Sequence, residues 1–567
     1  MLGVIGAGTR YFRQAVRPIA GLRGFATNVV NWSDDFVASS NFPEIDSGIA
    51  ENERFTEFMI KGFLKRGSDL AIYDGTTEER RSFETVHGNV YSLAAGFLTE
   101  YGIGFKSTVA LLTPNHVDFF ACMHGVAKLG GIVTPINPLY TAPEIAKQLK
   151  NSDTKLIIAH PDCLEVAKLA ADEKNATLEH GQVFCEVACI DNEIQEFRKM
   201  VPDYSLPDTP AGPHDTVLLP YSSGTTGMPK GVELTHSNLI YNVLQSEAIE
   251  TRFMDQHDSV ISPLPLFHIY AYLVSLHNTL RIGCPLITMK RFDLDLFCDL
   301  TERYSCTRAH VVPPILLQLA KNPIVDKYDL SSLKVAVSAA APLGADLEKA
   351  VEERIGCKVK QLWGMSELSP LGTGNADDGI KPYAGSVGPP VAGTSAKITC
   401  LTTGKNVAPN VEGELCIKGP QVMKGYLNAP EKTSECLSED GWLKTGDIGK
   451  LDEDGYVYIT DRLKELIKYK GYQVAPAELE SVLYTHPSVM DTCVIPRACE
   501  EAGEIPRAYV SLKPEYKDST SEADIIKYVD EKVAPHKRLR GGVVFTENIP
   551  KTESGKILRR KVVQMDK

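Results

Sequence analysis

Residues 222–231 read Ser-Ser-Gly-Thr-Thr-Gly-Met-Pro-Lys-Gly, small hydroxyl residues and glycines crowded ahead of a lysine. Such a run closes around a polyphosphate. Gly224 lets backbone N–H groups approach the oxygens, and Ser222, Ser223, Thr225 and Thr226 offer hydroxyl donors. Lys230 adds a point charge. The G-x4-G-K-[ST] loop is a different object: counted from Gly224, Pro229 stands where the second glycine would be and Gly231 where the metal-binding hydroxyl would be. A divalent cation therefore needs a ligand from elsewhere in the chain. Glu367 offers a hard carboxylate of the kind Mg²⁺ prefers.

Four further segments fit phosphate chemistry: QLWGMSE at 361–367, TGD at 445–447, DRLKELIKYKGYQ at 461–473 and PKTESGK at 550–556. With the loop, in this order and at these distances, they resemble the adenylate-forming acyl-CoA synthetase superfamily. The nearest branch is that of 4-coumarate:CoA ligase-like enzymes, medium- and long-chain acyl-CoA synthetases and luciferase. The resemblance runs from about residue 45 to about 561.

That resemblance implies a two-step reaction with ATP, Mg²⁺ and coenzyme A as cofactors. A carboxylate attacks the α-phosphate of ATP, giving acyl-AMP and pyrophosphate; the coenzyme A thiol then attacks the acyl carbon and AMP leaves. By the same resemblance the loop, with Thr226 as a catalytic hydroxyl, holds the β- and γ-phosphates, and Glu367 is the metal ligand. Gln361, Trp363 and Ser366 belong to the nucleotide site. Trp363 stands where the family has a tyrosine on the adenine, Ser366 where it has threonine, and Leu362 where it has glycine. Asp447 and Arg462 match the ribose-binding positions, and Lys556 matches the lysine that reaches the carboxylate and α-phosphate during adenylation. Lys464 matches an interdomain hinge. Lys468 and Gln473 match residues near the nucleotide or reacting acyl group, and Lys470 and Gly471 lie against coenzyme A. His268 and Tyr270, with Ala339, Ala340 and Ala341, match the acyl pocket. Lys290 and Arg291 are either coenzyme A phosphate contacts or a solvated basic pair.

The leading reading is an ATP-dependent acid–thiol ligase acting on a fatty acid. Leu362 weakens the alternative, an aryl-propenoate of the 4-coumarate type. A luciferase-like oxygenase shares the adenylation step and is a further alternative. A non-catalytic adenylate binder is disfavoured by retention of Lys556, Glu367 and the loop. The adenylation domain of a peptide synthetase is disfavoured because few residues follow Lys556.

The elements that must position these groups are legible as texture. From 106 to 363, β-branched runs of four to six residues alternate with helical stretches: VALLT at 109–113 precedes a helix expected over 115–129, then come GIVTPI at 131–136, KLIIA at 155–159, VLLPY at 217–221, SVIS at 259–262, AHVV at 309–312 and KVAVS at 334–338. This predicts an α/β fold with doubly wound sheets buried on both faces. After 385, Gly, Pro and Thr become frequent and a β-rich subdomain is expected to about 460. A small mobile α+β domain is expected over 461–567, after a large domain over 34–460; the resemblance, not the pattern, places that boundary.

The chain has 567 residues, 43% hydrophobic and 23% charged, the composition of an ordinary globular protein. Its net charge of −13 argues against nucleic acid as a partner. Thirteen cysteines without regular spacing indicate reduced thiols. No apolar run reaches the ~18 residues of a membrane span. Residues 1–33 hold Arg10, Arg13, Arg17 and Arg23 and no acidic residue, a composition resembling a mitochondrial presequence. The C-terminal Met565-Asp566-Lys567 is not the Ser-Lys-Leu peroxisomal address. Oligomeric state has no signature in the sequence.

Overall fold

The computed structural model describes residues 30–566, except 44, 179, 223–228, 251–253, 378–383, 471, 500 and 553–554. The β-branched runs become strands. Thr108–Leu112, Ile132–Ile136, Thr154–Ala159 and Glu186–Cys189 lie parallel in one eight-stranded sheet. Every residue of Thr108–Leu112 is buried, so Val109–Leu112 run apolar without alternation. In a second eight-stranded sheet, Leu70–Asp74, Leu286–Thr288, Val260–Ser262, Arg308–Val311, Val335–Ser338 and Lys358–Gly364 are parallel. Antiparallel strands Arg80–Ser82 and Leu371–Gly374 form its edges.

Helices cover these sheets and carry their own stop signals. Phe83–Tyr101 begins where the Ser82 hydroxyl accepts the Thr85 N–H at 3.2 Å and ends at Gly102, whose φ is 56°. The helix expected over 115–129 begins only at Phe119. Asn115 is held in a turn by tertiary bonds: its amide donates to Leu264 O, Thr288 Oγ1 and Met289 O, and its Oδ1 accepts from Leu266 N. These bonds tie the two sheets together and outcompete helix propagation.

The β-rich stretch forms a six-stranded antiparallel sheet from Ser395–Thr399, Gly413–Lys418, Leu443–Leu451 and Val457–Arg462. Its remaining strands are Val30–Trp32 and Ala38–Ser40, the latter pairing with Ser395–Thr399. This corrects the expected boundary at residue 33. Val30 is buried against Gly455 and the Trp32 indole donates to Glu453 O, so 30–32 belong to the folded unit. Residues 1–29, the body of the expected address segment, lie outside the described residues.

Arg462 ends the last strand of that sheet, and Ile467 opens the first strand of a five-stranded one. The latter comprises Ile467–Tyr469, Tyr472–Val474, Val489–Cys499, Gly503–Leu512 and Val543–Phe545, packed with helices Pro476–Tyr484 and Glu522–Asp530. Ile467, Leu479, Leu483, Val494, Val510 and Ile525 fill a core of its own. The architecture is thus mixed α/β, with a large N-terminal and a small C-terminal part. Among the described residues no helix is long and apolar enough to cross a membrane. All thirteen cysteines are free, and most are buried.

Candidate active site

The phosphate loop opens and closes on a hairpin. Tyr221–Ser222 runs antiparallel to Lys230–Thr235, with Ser222 opposite Lys230 and Tyr221 opposite Gly231. Ser223, Gly224, Thr225 and Thr226 lie outside the described residues. Beyond the hairpin the helix His236–Glu250 starts on a reciprocal cap: Thr235 Oγ1 accepts the Asn238 N–H, and Asn238 Oδ1 accepts the Thr235 N–H, both at 3.1 Å. Lys230 Nζ stands 4.6 Å from the ring centroid of Tyr426.

Gln361 and Trp363 lie two apart on Lys358–Gly364 and therefore share one face. Trp363 is buried, and its indole N–H donates to Asp447 Oδ2 at 2.9 Å. Gln361 turns its amide into the fold, donating to Leu343 O and Glu348 Oε2 at 3.1 Å each. Its amide nitrogen is thus engaged by the protein itself. Ser366 and Glu367 follow in a single 3₁₀ turn. Glu367 is 5% exposed and its Oε1 accepts the Tyr426 hydroxyl at 2.7 Å.

Asp447 and Arg462 are directly opposed on adjacent strands, with Nε 3.4 Å from Oδ1. Burial pushes the Asp447 carboxyl above its ordinary range, against the opposing pull of Arg462 and the Trp363 N–H. Lys556 sits at the end of a tight loop in which Thr552 N–H donates to Lys556 O at 2.8 Å and Lys556 N–H to Thr552 Oγ1 at 3.0 Å. Gly555 takes φ +77°, which permits the bend. Burial, then Arg462, lowers the Lys556 ammonium to about 8, while Glu465, Asp447 and Glu367 oppose the shift. One electrostatic neighbourhood thus holds Lys556, Arg462, Asp447 and Glu367.

His268 belongs to the same neighbourhood. Burial, then Lys556, lowers it to about 4, so it is a neutral imidazole at pH 7. Tyr270, two residues on, is buried with its hydroxyl donating to Val337 O at 3.1 Å. Ala339 is buried; Ala340, at φ 71°, and Ala341 are half-buried beside it.

Lys468 and Lys470 are exposed on the five-stranded sheet, their backbone N–H groups bonded to Glu504 Oε2 and Ala502 O at 2.8 and 2.9 Å. Gln473 pairs with Lys468 in register. The Gln473 side chain and Gly471 lie outside the described residues. Lys464 is exposed between the two sheets. Lys290 is salt-bridged to Asp162, which favours the basic-pair reading over a coenzyme A contact.

Sequence reasoning missed Tyr426 and Glu465. Tyr426 joins the site because Gly425–Tyr426 pairs with Lys230–Thr235, a tertiary register that no local spacing announces. The residues present fit a cation held chiefly by phosphate oxygens. Among the described residues no cluster of three or more His, Cys, Asp or Glu could hold a metal, and Glu367 is a buried carboxylate with one oxygen already oriented by Tyr426.

The family model for AMP-binding enzyme matches residues 64–427, and that for AMP-binding enzyme C-terminal domain matches 478–556. The chain is similar to 4-coumarate–CoA ligase 1 of Petroselinum crispum, at 39% identity over 538 residues, 93% of this chain and 96% of that one. It is 40% identical to 4-coumarate:CoA ligase 1 of Petunia hybrida over 519 residues, 90% of this chain and 92% of that one. Among solved structures, ATP-bound MatB from Rhodopseudomonas palustris superposes with TM-score 0.80 at 28% identity, covering 90% of this chain and 98% of its own.

Proposed function

The chain belongs to the AMP-binding enzyme family and is an AMP-forming acid–CoA ligase using ATP, Mg²⁺ and coenzyme A; on that premise we propose that its acid is an aryl-propenoate of the 4-coumarate type. The sequence alone leans towards a fatty acid, through Leu362 and the basic N-terminal segment. Leu362 is buried, with its tip against Gly374 on the neighbouring strand. Whole-length identity near 40% to 4-coumarate–CoA ligases supports the aromatic reading over the aliphatic one.

One observation carries the adenylation chemistry: a half-buried lysine from the small C-terminal part feels the charges of Arg462, Asp447 and Glu367 of the large part. Lys556 holds a positive charge where the carboxylate and α-phosphate oxygens meet, neutralising charge that grows as the acid oxygen bonds phosphorus and pyrophosphate leaves. Asp447 accepts from the ribose hydroxyls, and Arg462 donates to the same sugar. Ser222, the loop hydroxyls and Lys230 take the β- and γ-phosphates, and Ser366 the α-phosphate. Glu367 would hold Mg²⁺, which when bound would offset the charge of the phosphates. His268, neutral, orients the entering acid beside Tyr270 without competing with Lys556 for its charge.

In the second half-reaction the thiol sulfur bonds the acyl carbon, the acyl–phosphate bond breaks and AMP departs. Lys470 and Gly471 lie against coenzyme A in that step, and Lys468 and Gln473 near the reacting group. A reorientation of the small part about Lys464 between steps would exchange Lys556 for this segment, whose Lys468 and Lys470 are exposed. The acid-free segment 1–29 supports mitochondrial import, which a fluorescent fusion of those residues would test.

The deciding experiment is pyrophosphate release from Mg-ATP across acids from acetate to palmitate with p-coumarate and benzoate, with and without coenzyme A. Highest kcat/KM on p-coumarate with p-coumaroyl-CoA as product is expected. Preference for medium- or long-chain aliphatic acids would overturn the aryl assignment and leave the ligase intact.

A further inference from the structure

Tyr426 occupies a position between two groups that must act on the same polyphosphate. Its hydroxyl donates to Glu367 Oε1 at 2.7 Å, and its ring lies under Lys230 Nζ at 4.6 Å from the centroid. Backbone bonds fix the ring in that place. Gly425–Tyr426 is a short strand on Lys230–Thr235, with Val232 opposite Tyr426. Lys424 N–H donates to Glu233 O at 3.0 Å and Leu427 N–H to Gly231 O at 2.9 Å, flanking it on both sides. Thr433 Oγ1 accepts the Tyr426 N–H at 2.9 Å. The Glu367 backbone is joined to the same segment, its carbonyl accepting the Met423 N–H at 2.9 Å. The phosphate hairpin, the carboxylate turn and the 423–427 segment are thus cross-linked through one side chain.

We propose that Tyr426 is the positioning residue for the cation–phosphate site: its hydroxyl orients the Glu367 carboxylate for a divalent cation, and its ring holds the Lys230 ammonium over the phosphates. The inference rests on the ATP- and Mg²⁺-dependent reading above. A carboxylate that binds a metal through one oxygen gains direction when the other accepts a hydrogen bond, and loss of such a partner typically lowers metal affinity or activity by about 10- to 100-fold. The ring's face attracts a cation at the distance seen.

The two functions separate by substitution. Tyr426→Phe removes the hydroxyl and keeps the ring; Tyr426→Leu removes both. Mn²⁺ binding in the presence of a non-hydrolysable ATP analogue, followed by electron paramagnetic resonance, reads the cation site without catalysis. Acid-dependent ATP–pyrophosphate exchange at varied Mg²⁺, ATP and acid reads the working site. Tyr426→Phe is expected to weaken Mn²⁺ binding about tenfold or more and raise the Mg²⁺ needed for half-maximal exchange alike, with the acid KM unchanged. Tyr426→Leu is expected to add a rise in ATP KM. Unchanged Mn²⁺ binding in Tyr426→Phe would overturn the proposal, as would equal rises in all three constants. Wild-type protein that binds Mn²⁺ and nucleotide but exchanges with no acid would instead sink the ligase reading, leaving the binding comparison to decide on Tyr426. Absence of wild-type Mn²⁺–nucleotide binding would overturn both.

Discussion

The indole N–H of Trp363 donates to Oδ2 of Asp447 at 2.9 Å, while Arg462 Nε approaches Oδ1 at 3.4 Å. Each oxygen of the buried carboxylate therefore has its own donor, and the protein itself orients the carboxylate. A tyrosine ring at 363 would offer a stacking face but no such donor at that atom.

Trp363→Phe keeps an aromatic face and removes this bond. A hydrogen bond to a charged group contributes about 1.5–3 kcal/mol, so the ATP KM is expected to rise on the order of tenfold or more. The acid KM should change little. Steady-state kinetics in both substrates checks this; an unchanged ATP KM would mean that Arg462 alone orients Asp447.

Lys556→Ala should remove adenylation, measured as ATP–pyrophosphate exchange, by about 10²–10³-fold, the range for loss of one donor at developing charge. Thioester formation from supplied acyl-AMP should survive. The active form is the ammonium, lowered to about 8 in the free protein. The exchange kcat/KM for ATP is therefore expected to fall as pH rises through about 8, and Lys556→Arg should move that limb upward. A limb unmoved by arginine would assign it to another group.

Acid stability should track the interior histidines. His124 Nε2 and His277 Nε2 lie 3.1 Å apart in a fully buried pair, with Thr56 Oγ1 on His124 Nδ1 and Tyr272 O on His277 Nδ1. Burial lowers His277 to about 3 and His236 to about 4, and drives His124 well below its ordinary value. Because the unfolded chain protonates near 6.5, stability is fully present above about that pH and falls as pH drops towards 4. Urea midpoints at pH 7.5 and 5 should show a lower value at pH 5. Equal midpoints would contradict burial of these rings in neutral form.

Asp377 is expected to matter for stability although it lies outside the reaction. Its carboxylate, buried, pairs with Lys360 at 2.6 Å and with Arg308, and both cations also approach Glu250. Removing one partner of a buried charge cluster leaves the others uncompensated, at about 3–5 kcal/mol. Asp377→Ala should lower the unfolding free energy by that order in chemical denaturation, with substrate KM values little changed in the protein that remains folded.

Legibility followed locality. Glu367, Asp447, Arg462 and Lys556 could be named because each lies inside a short run whose neighbours mark it. The parallel strands were readable because burial on both faces leaves unbroken apolar runs such as 109–112. What failed depended on distant partners. Val30–Trp32 is three residues long and becomes a strand only through the hairpin to Ala38–Ser40 and that strand's pairing with Ser395–Thr399. The helix start at Phe119 was displaced by Asn115 bonding across two sheets. Tyr426 carries no sign of its role until its strand meets Lys230–Thr235.

A Cβ on Gly555 would stand 2.9 Å from Val312 Cγ2 and 3.3 Å from Pro314 Cγ, beside a φ of +77° that side chains resist. The fit of the small part against the large one is therefore toleranced to a single methyl group, one residue from the lysine it delivers. A wedge of that size would leave each charged group chemically intact and still keep them from assembling. The chain thus carries, at a position with no reactive atom, a natural place to uncouple assembly of the centre from its composition.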